Sequence, residues 1–203
     1  VLNCTDGTIA WKALGFYGRE PSAIADGYMV AFNSYDAQIY VYGKGPTKTT
    51  AQVTDDTIKS GESVLITGTV YDVSSGTRDP DRSSRFPNGV AAVSDASEES
   101  WMEYVYMQQE KPTNATGVPV EVYVVDGNGN YRMIGTTATD TNGFYSLNWT
   151  PDISGKYTVY AIFSGSESYY ASQASTAFMV DEVSPTTTVE PVQQESVADQ
   201  YFL

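Results

Sequence analysis

Val118-Pro-Val-Glu-Val-Tyr-Val-Val125, then Asp126-Gly-Asn-Gly-Asn130, then Tyr131-Arg-Met-Ile-Gly-Thr-Thr-Ala138: the reading of the fold turns on this stretch. Apolar residues recur at every second position of the first run, the period that sets side chains alternately on the two faces of a strand, and the Gly/Asn pentapeptide has the chemistry of a tight turn. A β-hairpin is predicted. Downstream, Asp140-Thr-Asn-Gly143 reads as another turn of the same kind and Phe144 to Trp149 as a strand. Pro151-Asp152 and Ser154-Gly155 then mark a corner, with strands over Lys156 to Phe163 and Ala174 to Val180. Short strands at this spacing, separated by turn residues, predict a small antiparallel β-sandwich, an architecture of structural and binding modules.

Working back from this stretch, Gly43-Lys-Gly-Pro46 is a boundary, and Thr47 to Val53 is β-prone and opens the sandwich. Gly61-Glu-Ser63 is a turn before the alternating run Val64 to Tyr71. Between that run and Val118 lies an insertion, residues 74–113, much longer than an ordinary strand connection and therefore a place to look for function. Its first half, Ser74 to Asn88, is expected to be loop, broken by Gly76, Pro80 and Pro87. In its second half, Asp95-Ala-Ser-Glu98 has the form of a capping box opening a helix over Ser97 to Gln109, ended by Pro112. Trp101, Met102, Tyr104 and Val105 share one face of that helix, which should cover part of a sheet or a domain junction.

Residues 1–43 differ in pattern. Val1 to Gly7 and Thr8 to Trp11 read as strand, tight turn, strand, and Ala25-Asp-Gly27 introduces a hairpin made by Tyr28 to Asn33 and Gln38 to Tyr42. The spacing of Gly7 and Trp11 resembles the repeat of PQQ-like (quinoprotein-type) β-propellers, A-x-D-x-x-T-G-x-x-x-W, whose Trp docks between blades. Val1, Asn3 and Asp6 stand where that repeat has Ala, Asp and Thr. The resemblance covers about one blade, and a propeller closes with roughly four to eight. It implies that the chain is the C-terminal part of a longer protein, with Trp11 a packing residue. The absence of an initiator methionine before Val1 fits a processed or partial product.

The second resemblance rests on the Lys59-Ser-Gly-Glu-Ser63 turn, the Val64 to Asp72 strand, Thr139-Asp-Thr-Asn-Gly-Phe144, Trp149-Thr-Pro151 and Gly155 to Ala161. Together these resemble the bacterial Ig-like domains of prokaryotic surface proteins, which share a fold and no common active site. The fold class expected is thus mainly β: an Ig-like antiparallel sandwich with a short helical insertion, preceded by a propeller-blade-like meander. The domains expected are 1–45, 46–181 with its insertion at 74–113, and a Thr/Pro-rich stalk at 182–203, whose composition cannot bury a core. Its end, Ala198-Asp-Gln-Tyr-Phe-Leu203, resembles the juxtamembrane segment of archaeal surface proteins that continue into a membrane helix beyond Leu203.

Composition bounds the chemistry. With 25 acidic and 11 basic residues in 203, the net charge of −14 disfavours nucleic acid and anionic membranes as partners. There are no histidines, which excludes His-dependent triads, dyads and zinc sites. Cys4 is the lone cysteine, so no internal disulfide forms. No catalytic residue, metal ligand or cofactor site is expected. Asp126, Asn128 and Asn130 sit at alternate positions as in a calcium loop, but Tyr131 and Thr137 replace its Gly and Glu, which favours a plain hairpin. Three N-glycosylation sequons occur at Asn3, Asn114 and Asn148, and Asn114, in a loop after the helix, is the candidate acceptor. Trp101 and Tyr104 are candidate glycan contacts among sixteen tyrosines whose ordinary place is a half-buried strand. The function expected is a non-enzymatic extracellular module that spaces or presents a propeller at a cell surface. The partners expected are other domains of the same chain, cell-surface proteins or glycans. The alternatives are carbohydrate binding through the insertion and an accessory role to a quinoprotein-like dehydrogenase.

Overall fold

The structure is a computed structural model that describes residues 1–17 and 22–182. The expected stalk beyond Glu182, with its juxtamembrane-like end, lies outside the described residues. In chain order the strands are β1 (Ala23–Ala25), β2 (Tyr28–Asn33), β3 (Gln38–Tyr42), β4 (Thr47–Thr49), β5 (Gln52–Val53), β6 (Thr57–Lys59) and β7 (Val64–Asp72). A 3-10 turn (Ser75–Arg78), α1 (Pro80–Arg85), β8 (Val90–Ala91) and α2 (Asp95–Met107) follow. The remaining strands are β9 (Pro119–Val125), β10 (Tyr131–Ala138), β11 (Phe144–Trp149), β12 (Gly155–Phe163) and β13 (Ser172–Asp181).

Two sheets form the sandwich. One has the order β10-β9-β12-β13-β6 and the other β11-β7-β4, with β5 and β8 also paired to β7. The alternation read in Val118 to Val125 sends Val120, Val122 and Val124 inward, each fully buried, where they meet Val64, Ile66 and Val70 of β7 and Tyr157, Val159, Ala161 and Phe163 of β12. Burying a Val, Ile or Phe side chain fully stabilises by roughly 1.5–3 kcal/mol, so this doubly faced core is what holds the sheets together. The chain changes sheet between β7 and β9 and again between β10 and β11, as an Ig-like Greek key requires. The Asp140 to Gly143 turn is therefore a crossing between sheets and not a second hairpin: β11 leaves β10 to pair with β7, in register Phe144 with Thr69 through Trp149 with Val64.

Two further features belong to the Ig-like pattern. At the corner between β11 and β12, the Tyr157 hydroxyl lies 3.1 Å from both the Ile153 carbonyl and the Asp152 carboxylate, a tyrosine corner tying the turn to the strand that follows it. The first edge strand also switches sheets. β4 and β5 pair with β7, whereas β6, to which no strand was assigned from the sequence, pairs in parallel with β13 from Thr57–Met179 to Lys59–Asp181. Thr47 to Val53 is split because Thr50 turns its hydroxyl onto the Thr69 N–H, 2.9 Å away, at the close approach of Thr50 to Gly68.

The insertion between β7 and β9 is more ordered than expected. The segment read as loop contains the 3-10 turn and α1, because Pro80 occupies the first helical position, where its missing N–H costs nothing. α2 begins two residues before its expected start and has Ser94 as N-cap without a side-chain bond; the capping box does not form. Asp95 instead accepts from Ser166 Oγ at 2.8 Å, Glu167 N at 3.1 Å and Ser168 N at 2.9 Å, all in the β12–β13 loop. The helix ends at Met107, ahead of Pro112, with Gln108 in the left-handed region at φ 56°. Its buried face, with Trp101 and Val105 each 1% exposed, packs against Val90, Ala91 and Val93 in a second small core.

Residues 23–42 form the expected meander, a three-stranded antiparallel sheet of order β1-β2-β3. The expected strand pair over residues 1–11 is reduced to a turn at Gly7, φ 73°, and a single bridge between Leu2 and Ile9. Few residues there are buried, so little packing reinforces a longer ladder. The meander's inner face meets the insertion: Tyr40 is buried, its hydroxyl donating to Asp36 at 2.6 Å and lying 3.5 Å from the Tyr106 carbonyl, and Arg82 of α1 reaches Gln38. α2 thus covers the sandwich and faces the meander.

Candidate functional site

The insertion builds two polar features from residues that are far apart in sequence. The first is a surface groove of about 320 Å³ between the end of α1, Trp101 and Tyr104 of α2, and the Asp140 to Gly143 crossing. Trp101 and Tyr104 both contribute to its lining, with Arg85, Asn88, Lys111, Asn142 and Phe144. The structure corrects the expectation for Trp101. Its ring is 1% exposed and its indole N–H donates to the Ala91 carbonyl at 3.1 Å, so it has no free face to stack on a sugar. Tyr104 is half-buried, edge-on to Phe86 with ring centres 5.6 Å apart.

Arg85 is stacked over both Phe86 and Tyr104, at 5.3 and 5.2 Å, and donates to the Tyr104 and Val105 carbonyls at 2.9 and 3.1 Å. Two of the carbonyls near the C-terminus of α2 are thereby satisfied, and the helix dipole favours a cation there. Lys111 lies over the Trp101 ring at 5.8 Å and makes no ion pair among the described residues. Opposite, Phe144 is 47% exposed, its ring held edge-on to Tyr71. Sequence reading missed Arg85, Lys111 and Phe144; the signal was present only as two basic residues flanking an aromatic-rich helix in a chain otherwise rich in acids.

The second feature is buried. Glu98 points from α2 toward Asp72 at the end of β7 and Tyr169 of the β12–β13 loop, and its Oε2 and the Tyr169 hydroxyl are both buried. Burial, reinforced by the nearby Asp72 and Asp95 carboxylates, pushes the Glu98 carboxyl up to about 8. Burial likewise raises Asp72. Partial burial works against ionising Asp95, but hydrogen bonds from Ser168, Ser166 and Glu167 outweigh it and hold that carboxyl below the usual range. This is a structural polar cluster, with no nucleophile and base paired in it. No group of three or more acidic or thiol side chains among the described residues is arranged to hold a metal ion.

The remaining sequence candidates fall elsewhere. Asn114 is exposed in a turn and Asn148 on strand β11, and these and the exposed Asn3 are all separate from the groove lining. Asp126 is a turn residue, its carboxylate accepting from Asn128 N, Asn130 N and Asn130 Nδ2. Hydrogen bonds from Asn130 hold it below the usual carboxylate range. Trp11 is half-buried against Tyr42, ring centres 4.7 Å apart, and Gly7 turns the chain ahead of it.

No family model matches the chain, and no curated protein does. Solved structures similar to it include the PKD domain of an M14-like peptidase from a Thermoplasmatales archaeon, at 13% identity over 68% of this chain and 98% of that one, TM-score 0.35. A CARDB domain from Pyrococcus furiosus, solved with di-metal ions, matches at 11% identity over 69% of this chain and 91% of its own, TM-score 0.35. The fibronectin(III)-like modules of CbhA from Clostridium thermocellum match at 14% identity over 76% and 60%, TM-score 0.36. Scores this low bear no functional weight; the Ig-like assignment stands on the strand order, the sheet-switching edge and the tyrosine corner.

Proposed function

We propose that the chain is a non-enzymatic extracellular module in which an Ig-like sandwich carries and spaces a propeller-type sheet at a cell surface. The observation that supports this reading most is the outer face of the meander. Val30 pairs with Val41 and Phe32 with Ile39, so all four side chains share one face, and Ile39 and Val41 are 70% and 61% exposed. A sheet with one solvated face ordinarily carries polar residues there. Here the inner face packs on the insertion and the outer face is apolar as well, the composition of a blade lying between two other layers. Trp11 on Tyr42 and the Gly7 turn suit the same role.

In this reading the partners are the neighbouring blades of the same chain, with cell-surface proteins or glycans as outer contacts. The Thr/Pro-rich 182–203 segment serves as a stalk toward an anchor beyond Leu203. Among the described residues no helix is long and apolar enough to cross a membrane. The test is the native coding sequence on both sides of the chain. Repeated Gly-x-x-x-Trp segments upstream and an apolar run of about 20 residues downstream are expected. Unrelated flanking sequence would remove the propeller and the anchor from the proposal, and upstream cofactor ligands would turn it toward a dehydrogenase accessory domain.

A further inference from the structure

The groove between α1, α2 and the β10–β11 crossing has a charge opposite to that of the molecule around it. Among the described residues no acidic side chain lines the groove, while two basic residues, Arg85 and Lys111, do. The volume, about 320 Å³, lies at the low end of cavities that hold small organic ligands.

The chemistry of the lining narrows the occupant. Lys111 is exposed and has no carboxylate partner among the described residues, so its ammonium is open to an anion. Arg85 spends two of its five N–H donors on α2 carbonyls and is fixed in place by Phe86 and Tyr104, which leaves donors on a pre-oriented cation. The exposed part of Phe144 offers an apolar ring surface. The exposed amides of Asn88 and Asn142 supply donors and an acceptor, the pairing that adjacent hydroxyls need, although Asn142 Nδ2 also donates to the Asp140 carboxylate at 3.4 Å.

We propose that this groove binds a carboxylated sugar residue of a uronate-containing glycan, with Lys111 and Arg85 taking the carboxylate, Phe144 the ring and the Asn88 and Asn142 amides the hydroxyls. An acidic peptide would satisfy the cations but gives the two amides and the ring no defined role. The site is independent of the spacer reading, because it uses neither the meander nor any residue outside the sandwich and its insertion.

Calorimetric titration of the full chain with a set of uronate oligosaccharides tests it, against their neutral methyl esters and an oligoglutamate of matched charge. Uronates are expected to bind, the esters to bind roughly tenfold more weakly, as loss of a charge-assisted contact implies, and oligoglutamate, which engages only the cations, to bind more weakly than the uronates. Lys111→Glu should abolish uronate binding and move the melting temperature only slightly, since the side chain is exposed and gives up only its position over the Trp101 ring. Asn142→Ala should weaken uronate binding and leave the preference for the acid over the ester. Failure of every uronate to bind, equal binding of oligoglutamate, or binding indifferent to Lys111→Glu would overturn the proposal.

Discussion

Tyr157 buries its whole ring between the sheets, stacked on Phe178 at 5.4 Å and edge-on to Trp149, while its hydroxyl ties down the preceding corner. Tyr157→Phe keeps the packing and removes only the bonds to Ile153 and Asp152. It should cost about 1–2 kcal/mol in urea unfolding, and a neutral result would show that the corner adds nothing to stability. Trp101→Ala removes a fully buried indole from the small core and should cost about 3–5 kcal/mol. That variant therefore cannot report on binding, and Lys111→Glu is the proper probe. Helical spacing put Trp101, Met102, Tyr104 and Val105 on one face, and that face is indeed buried. Spacing does not reveal which aromatic keeps a free ring, because exposure of Phe144 and burial of Trp101 depend on chain segments some forty residues apart.

α2 is the element on which the strongest electrostatic consequences converge. Its capping box was a local motif, and tertiary partners took both of its carboxylates: Asp95 binds the β12–β13 loop and Glu98 is drawn inward. The folded state holds the Glu98 proton to about pH 8, whereas the unfolded chain releases it near 4.5. Between those values the native state binds more protons, so the associated stability is complete below the unfolded pKa and is lost as pH rises through the folded one. The lowered Asp95 carboxyl works in the other direction, contributing above the unfolded pKa and losing that contribution as pH falls. Unfolding free energy should therefore be highest in weakly acidic buffer and decline by a few kcal/mol toward pH 8. In Glu98→Gln the decline should be much shallower; an unchanged slope would show that Glu98 is not its source. Asp95→Ala should leave the sandwich folded while faster amide exchange at Glu167 and Ser168 reports a released loop.

Across the whole molecule, β7 and β9 to β13 were legible because each carries its own period and its own turn residues, whereas the two-residue β8 is too short to show a period. What the sequence did not disclose were the contacts made at a distance: the parallel pairing of β6 with β13, the crossing at Asp140 to Gly143, and α1, whose proline reads equally well as a breaker and as a first helical residue. The boundary at Gly43 to Pro46 is punctuated by glycine and proline, yet Gly45 donates to the Ser168 carbonyl and accepts from Tyr170 N, both at 2.8 Å, so the joint is held to the sandwich. The sandwich core contains no residue of the meander. The proposed division of labour, a self-sufficient sandwich that carries a sheet with an unpaired apolar face, is tested most directly by equilibrium unfolding of a fragment beginning at Lys44 and ending at Glu182. A single cooperative transition, with the slope expected for its smaller buried surface, is the predicted result; loss of cooperative unfolding would contradict it and make the meander part of one indivisible domain.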